Sequence, residues 1–329
     1  MSVSKDIPLV IACGNNDIFQ PLVDGTVRIE NCSTAFVSLT SGEMFSRSFE
    51  DPQFNVAELS LANYLTRRIR GNCPYVAIPV YASRSFRHGT IYVRANGGIS
   101  TPQDLRGRRI GIGGYAHTAY VWARAILQHE YGLHPSQITW ISISHNARGH
   151  ADNESFQPPP GVSVQRLQTI KSVEEMLAHG EIDALFATST PGSSNIVRLL
   201  NDHQAVEDDY FRRTQIFPIL HIMGLRTELL ERYPDLAQTL FKAFLKAKDL
   251  ALAARRKAAE LPSAPRALMS EVRRMTGLMG GDYYSHGVNE RDCKVLDAFL
   301  NYHFEQGLSD RRYGIADLFS PIPISQYQA

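Results

Sequence analysis

Apolar and polar positions alternate between two periods along this chain, and the switches between them mark out its elements. The runs Ile7 to Cys13 and Ala35 to Leu39 read as strands on either side of the turn-prone Asp24-Gly25. A short helix is expected over Gly42 to Phe49. From Val56 a brief apolar stretch passes into helical spacing through Leu59, Leu61, Ala62 and Leu65, and that helix stops at Arg67, Arg68, Arg70 and Gly71. Strands are expected at Tyr75 to Tyr81, Thr90 to Arg94, Arg109 to Ile112, Ile138 to Ile143, Val162 to Leu167 and Ala184 to Ala187. Helices alternate with the later strands: one starts at Thr101-Pro102, one runs from the Gly113-Gly114 turn to about Tyr131, and one covers Ser172 to His179. Ile216 to Arg226 reads as extended, and long amphipathic helices are expected over Pro234 to Glu260 and Asn289 to Gln306. The polar stretch His145 to Pro160, with three consecutive prolines, reads as a loop.

Strands alternating with helices imply an α/β fold with mostly parallel sheets. Thr90 to Arg94 and Ile216 to Arg226 read as two crossovers, so the expected architecture is two-lobed, with residues 1–93 and 220–329 in a discontinuous first lobe and 94–219 in the second. A ligand cleft then lies between the lobes at the carboxyl ends of the strands.

Composition narrows the function. The 329 residues carry 34 Lys plus Arg against 33 Asp plus Glu, so no net field attracts nucleic acid or an anionic membrane. Cys13, Cys32, Cys73 and Cys293 form no C-x-x-C pair, which fits a reducing compartment better than a disulfide scaffold or a zinc ribbon. The N-terminal segment has no apolar signal region, and no apolar run reaches the roughly 18 residues of a membrane span. A cytoplasmic location and a homo-oligomer are expected.

The densest polar group is Ser83-Arg84-Ser85-Phe86-Arg87-His88, between two strands. A loop there can offer two guanidiniums to a carboxylate and an imidazole to a proton, although a solvated basic loop reads the same way. Tyr115, His117 and Thr118 stand at a helix start whose free amides could take an anion, with a plain N-cap as the alternative for Thr118. Glu58 and Ser60 lie where a strand gives way to a helix, and His221 sits in an apolar run that borders the cleft if that run is a crossover. His145, Arg148 and His150 could help bind an acid or a metal, and His286 lies in a turn before the last long helix. No H-E-x-x-H pattern and no P-loop spacing is present, so neither a metal nor a nucleotide cofactor is expected.

Several strings resemble the 4,5-dihydroxyphthalate decarboxylase family: Ala57-Glu58-Leu59-Ser60, Ala77-Ile78-Pro79-Val80, Ser83-Arg84-Ser85-Phe86-Arg87-His88, Asp104-Leu105-Arg106-Gly107 and Ile216-Phe217-Pro218-Ile219-Leu220-His221. The Asp-Leu-Arg-Gly string also occurs widely among type II solute-binding proteins. The resemblance implies a type II periplasmic-binding-protein-like fold and cofactor-independent loss of CO2 from a hydroxylated aromatic acid. It leads to an expected site with His88, His221 and Glu58 in catalysis. Arg84, Arg87, Ser60, Ser83, Tyr115, His117, Thr118, His145, Arg148 and His286 would hold a small aromatic carboxylate. A solute-binding protein that holds an aromatic or sulfonate anion unchanged is the rival from another class.

Overall fold

The computed structural model describes residues 6–50, 52–144, 158–169 and 171–327. The first part of the chain runs β1 (Ile7–Cys13), α1 (Gln20–Val23), β2 (Cys32–Ser38), α2 (Ser41–Glu50), β3 (Val56–Ser60), α3 (Leu61–Ile69) and β4 (Tyr75–Arg84). A second run follows as β5 (Ile91–Arg94), β6 (Arg109–Ile112), α4 (Thr118–Tyr131), β7 (Thr139–Ser144), β8 (Ser163–Gln168), α5 (Val173–Ala178), β9 (Ala184–Phe186), β10 (Ile196–Arg198) and α6 (His203–Thr214). The chain then returns through β11 (Ile219–Arg226) and ends in helices α7 (Thr227–Arg232), α8 (Leu236–Ala259), α9 (Arg266–Met279), α10 (Glu290–Glu305) and α11 (Ile315–Phe319).

Two sheets result, one ordered β2-β1-β3-β11-β4 and the other β10-β5-β9-β6-β7-β8. The β1, β2, β3 and the β6, β7, β8, β9 ladders are parallel, whereas β5 and β11 run antiparallel to their neighbours. This is the two-lobed α/β architecture that the alternation of elements predicts. Ile91–Arg94, expected at the end of the first lobe, hydrogen-bonds to β9 and β10 in the second sheet. The first crossing therefore precedes it, at residues 85–90, and the return lies at 215–218. Ile91, Tyr92 and Val93 are all buried, and such a run carries no periodicity to show which sheet it joins.

The helices cover the sheets by burying apolar stripes. Phe244 of α8 meets Phe19 edge to face at 4.9 Å, over the first sheet. Helix α4 follows β6 of the second sheet but packs against α3, α10 and β11. Its Trp122 donates to the Ile219 carbonyl at 2.9 Å and lies against Phe299. The core on this side thus runs through both lobes, each buried large side chain contributing about 1.5–3 kcal/mol of transfer free energy. Among the described residues no helix is long and apolar enough to cross a membrane, and all four cysteines are free.

Candidate active site

Strand β3 is buried along its whole length, so Glu58 enters the interior as a charged residue in an otherwise apolar strand. Register decides its partner: β11 runs antiparallel beside it, with Met223 opposite Glu58 and His221 opposite Ser60. On its other side His221 pairs with Ser83, and the β11–β4 ladder shifts register on both sides of that pair. Glu58 Oε1 and His221 Nδ1 are 2.6 Å apart, and Glu58 Oε2 accepts from the Gly14 amide at 2.8 Å.

The carboxylate is 4% exposed. Burial pushes its pKa up, but the hydrogen bond and charge of His221, together with the Gly14 amide, hold it below the ordinary carboxylate range. It is therefore ionised near neutral pH and orients the imidazole. The His221 side chain is 20% exposed, its ring meets the edge of Phe45 at 5.0 Å, and its Nε2 has no hydrogen-bond partner among the described residues. Gly14, Asn15, Thr40, Ser41 and Ser83 line the same cavity of about 680 Å³. An oriented imidazole facing a polar cavity, backed by a carboxylate, is equipped to take and return a proton. Cys13 does not compete as a nucleophile, because burial and the nearby Glu58 charge push its thiol up to about 12.

The remaining expected site residues are dispersed. Arg84 is buried and its guanidinium is engaged by Asp292 and by the Ser285 and Phe217 carbonyls, so its charge is already met within the protein. His88 lies between Phe86 and Tyr210, both ring nitrogens buried without a hydrogen-bond partner among the described residues. Burial and the charge of Arg213 lower its pKa to about 4, so it is neutral and lines neither this cavity nor the one containing Arg87.

Ser60 and Thr118 meet each other at 2.9 Å, and Thr118 Oγ1 also accepts from the Ala62 amide at 2.9 Å. The start of α4 thereby caps α3 across the lobes. Tyr115 stacks under the Arg124 guanidinium, 3.7 Å from its ring centroid, while His117 stacks on Tyr120 at 5.4 Å. His286 is buried, its Nδ1 3.3 Å from the Tyr81 amide, and burial holds its pKa well below the usual value. Arg87 lines a different cavity. His145, Arg148 and His150 lie outside the described residues. Among the described residues no cluster of His, Cys, Asp and Glu assembles that could hold a metal ion.

Two features of the site escape the sequence reading. The Gly14-Asn15-Asn16 turn after β1 forms one wall, and its only sequence signal is a polar turn directly after a strand. Arg255 of α8, within the helix expected over Pro234 to Glu260, reaches the cavity rim and pairs with Asp17 at 3.1 Å and Glu271 at 3.0 Å.

Comparison with known proteins bears on the fold and the family. Residues 34–153 match the family described as ABC transporter, phosphonate, periplasmic substrate-binding protein. The periplasmic aliphatic sulphonate binding protein of Escherichia coli superposes with a TM-score of 0.54 at 13% identity, covering 95% of this chain and 91% of that one. At this identity the likeness speaks for the fold. The 4,5-dihydroxyphthalate decarboxylase of Pseudomonas putida is 34% identical over 64% of this chain and 83% of its own length. That of Comamonas testosteroni is 35% identical over 98% of this chain and 99% of its own length. By that match, the chain belongs to the 4,5-dihydroxyphthalate decarboxylase family.

Proposed function

We propose that this chain converts 4,5-dihydroxyphthalate to protocatechuate and CO2, with Glu58 and His221 as its proton-transfer pair. The carrying observation is the 2.6 Å contact between them at the wall of a polar cavity. In the substrate each carboxylate stands para to a ring hydroxyl. His221 Nε2 takes the hydroxyl proton, and the oxygen's electron pair moves through the ring to the carbon bearing the carboxylate. That carbon takes a proton from solvent or a solvent-exchanging group and loses aromaticity. The bond to the carboxylate then breaks, CO2 departs, and the bond's electrons restore the ring and leave a phenolate. The phenolate recovers its proton from His221. One proton is consumed overall.

The charge that builds on His221 is balanced by Glu58, an interaction stronger in the transition state than in the ground state, which is where binding energy accelerates a reaction. The retained carboxylate is met by neutral donors of the cavity wall, Asn15, Thr40, Ser41 and Ser83. A cationic grip on the leaving carboxylate would stabilise the reactant instead. Mere capture of an anion would require no oriented imidazole. The same reading places the protein in the cytoplasm, in keeping with its unpaired cysteines, and as a homo-oligomer, which light scattering checks.

The test is to mix the purified protein with 4,5-dihydroxyphthalate in D2O and follow released CO2 and the product's NMR spectrum. Stoichiometric CO2 with one deuterium on the vacated ring carbon is expected. Release that continues undiminished in both Glu58→Gln and His221→Gln would remove the dyad from the mechanism.

A further inference from the structure

A second cavity, of about 510 Å³, lies where the two crossing segments pass between the lobes. Its walls include Ser85, Phe86, Arg87 and Gly89 from the first crossing and Phe217 from the second. Helices α6 and α9 contribute further lining, and Thr188, Thr190 and Arg198 come from the second lobe. Gly89 permits the approach of α6, since a Cβ there would stand 2.6 Å from the His203 ring.

The charges of this cavity do not cancel. Arg274 is met by Glu207 at 3.0 Å and Asp208 at 2.7 Å, and Glu271 is met by Arg255 at 3.0 Å. Among the described residues neither Arg87 nor Arg198 has a carboxylate within ion-pair distance, and Glu207 attracts Arg87 only from farther off. Arg198 gives its donors to the Gly89 carbonyl at 3.1 Å and the Thr190 hydroxyl at 3.2 Å. Arg87 is 8% exposed; its carbonyl accepts from the Thr90 hydroxyl at 2.6 Å, but its guanidinium makes no hydrogen bond to any described residue and keeps its Nε buried without an acceptor. Burial lowers its pKa only to about 10, so it remains a cation at neutral pH. An enclosed guanidinium with no directly bonded anion is costly to the fold, and a bound anion relieves that cost. The neighbouring surface is apolar and aromatic, with the Phe86 and Phe217 rings 4.9 Å apart and Met275 beside them.

We propose that this cavity is a second ligand site, which binds a small aromatic carboxylate through Arg87 and Arg198 with its ring against Phe86 and Phe217. Guanidinium forks match a carboxylate, and the ring faces exclude water around it. Because the walls come from both lobes and both crossings, occupancy favours the lobe arrangement that brings them together. The proposal stands apart from the decarboxylation reading, since its residues do not line the Glu58 cavity.

The test is calorimetric titration with phthalate, which lacks the hydroxyls that decarboxylation needs and is not consumed. Two sites per chain are expected in the unaltered protein, and the second persists in His221→Gln. Arg198→Gln weakens that site by about tenfold or more while CO2 release from 4,5-dihydroxyphthalate is unchanged. Arg87→Gln abolishes it. Should Arg87→Gln fail to fold, Arg198→Gln on the half-buried rim still decides. Phthalate binding that both arginine variants leave intact overturns the proposal. Failure of the decarboxylation reading would appear instead as absent CO2 release, with this titration unaffected.

Discussion

Replacing Glu58 by glutamine keeps the size and the hydrogen-bonding reach of the side chain and removes its charge. In the structure that charge stands 2.6 Å from His221 Nδ1, close enough to stabilise an imidazolium as it forms. General acid–base catalysis by a positioned group is worth about 10²- to 10⁴-fold, or roughly 2.7–5.5 kcal/mol of barrier. Glu58→Gln is therefore expected to lower kcat by about 10²-fold or more, with a much smaller change in KM. His221→Gln should do the same, and the double variant should be little worse than either single one, because groups acting as a unit are not additive. The assay is continuous ultraviolet detection of product, paired with CO2 capture. Stability provides an independent readout. The folded pKa of Glu58 is depressed, so its contribution is complete above the unfolded value of about 4.3 and is lost as pH falls through the folded value. The unaltered protein should lose this share of stability on acidification, and Glu58→Gln should lack it. A Glu58→Gln enzyme within about threefold of full kcat would refute the assignment, whatever its stability.

The other expectations concern residues the fold has drawn away from the site. Asp292→Asn leaves the buried Arg84 without its counter-charge and should cost about 3–5 kcal/mol in urea unfolding. A loss under about 1 kcal/mol would show that the pair is unimportant to the fold. Thr118→Val removes the hydroxyl that caps α3 across the lobes and should cost about 1 kcal/mol, read from the same unfolding curves. His88→Phe should retain CO2 release. His88 has a folded pKa lowered to about 4, so its stabilisation is complete above the unfolded value and lost as pH falls from about 6.5 toward 4. The Phe variant should be less sensitive to acid over that window, as thermal midpoints at several pH values would record.

Much of the secondary structure is legible along the chain, because its signals are local. Ile7–Cys13 and Arg109–Ile112 fall where the apolar runs place them, and the helix ending at Tyr131 stops at Gly132, which has a φ of 66°. Helix α6 is missed because Glu207, Asp208, Arg212 and Arg213 interrupt its apolar stripe; α9 carries a clear stripe through Leu268, Met269, Val272, Met275 and Met279 that the sequence reading passes over. Residue roles are another matter. The string Ser83 to His88 reads as one functional loop, yet the structure divides it: Ser83 goes to the dyad cavity, Arg84 (paired with Asp292) and Arg87 to the wall of the second cavity, and His88 between aromatic rings.

The amino-acid sequence by itself determines the alternation of strands and helices, the two-lobed class and the family, since periodicity, turns and shared strings are properties of neighbouring residues. Tertiary structure alone decides which histidine meets a carboxylate and which arginine is left without a direct ion pair. Glu58 and His221 are 163 residues apart, and Arg84 and Asp292 are 208 apart. Such pairs are set by the register of β3 against β11 and by the packing of the C-terminal helices on β4, and no local pattern encodes a contact across that separation.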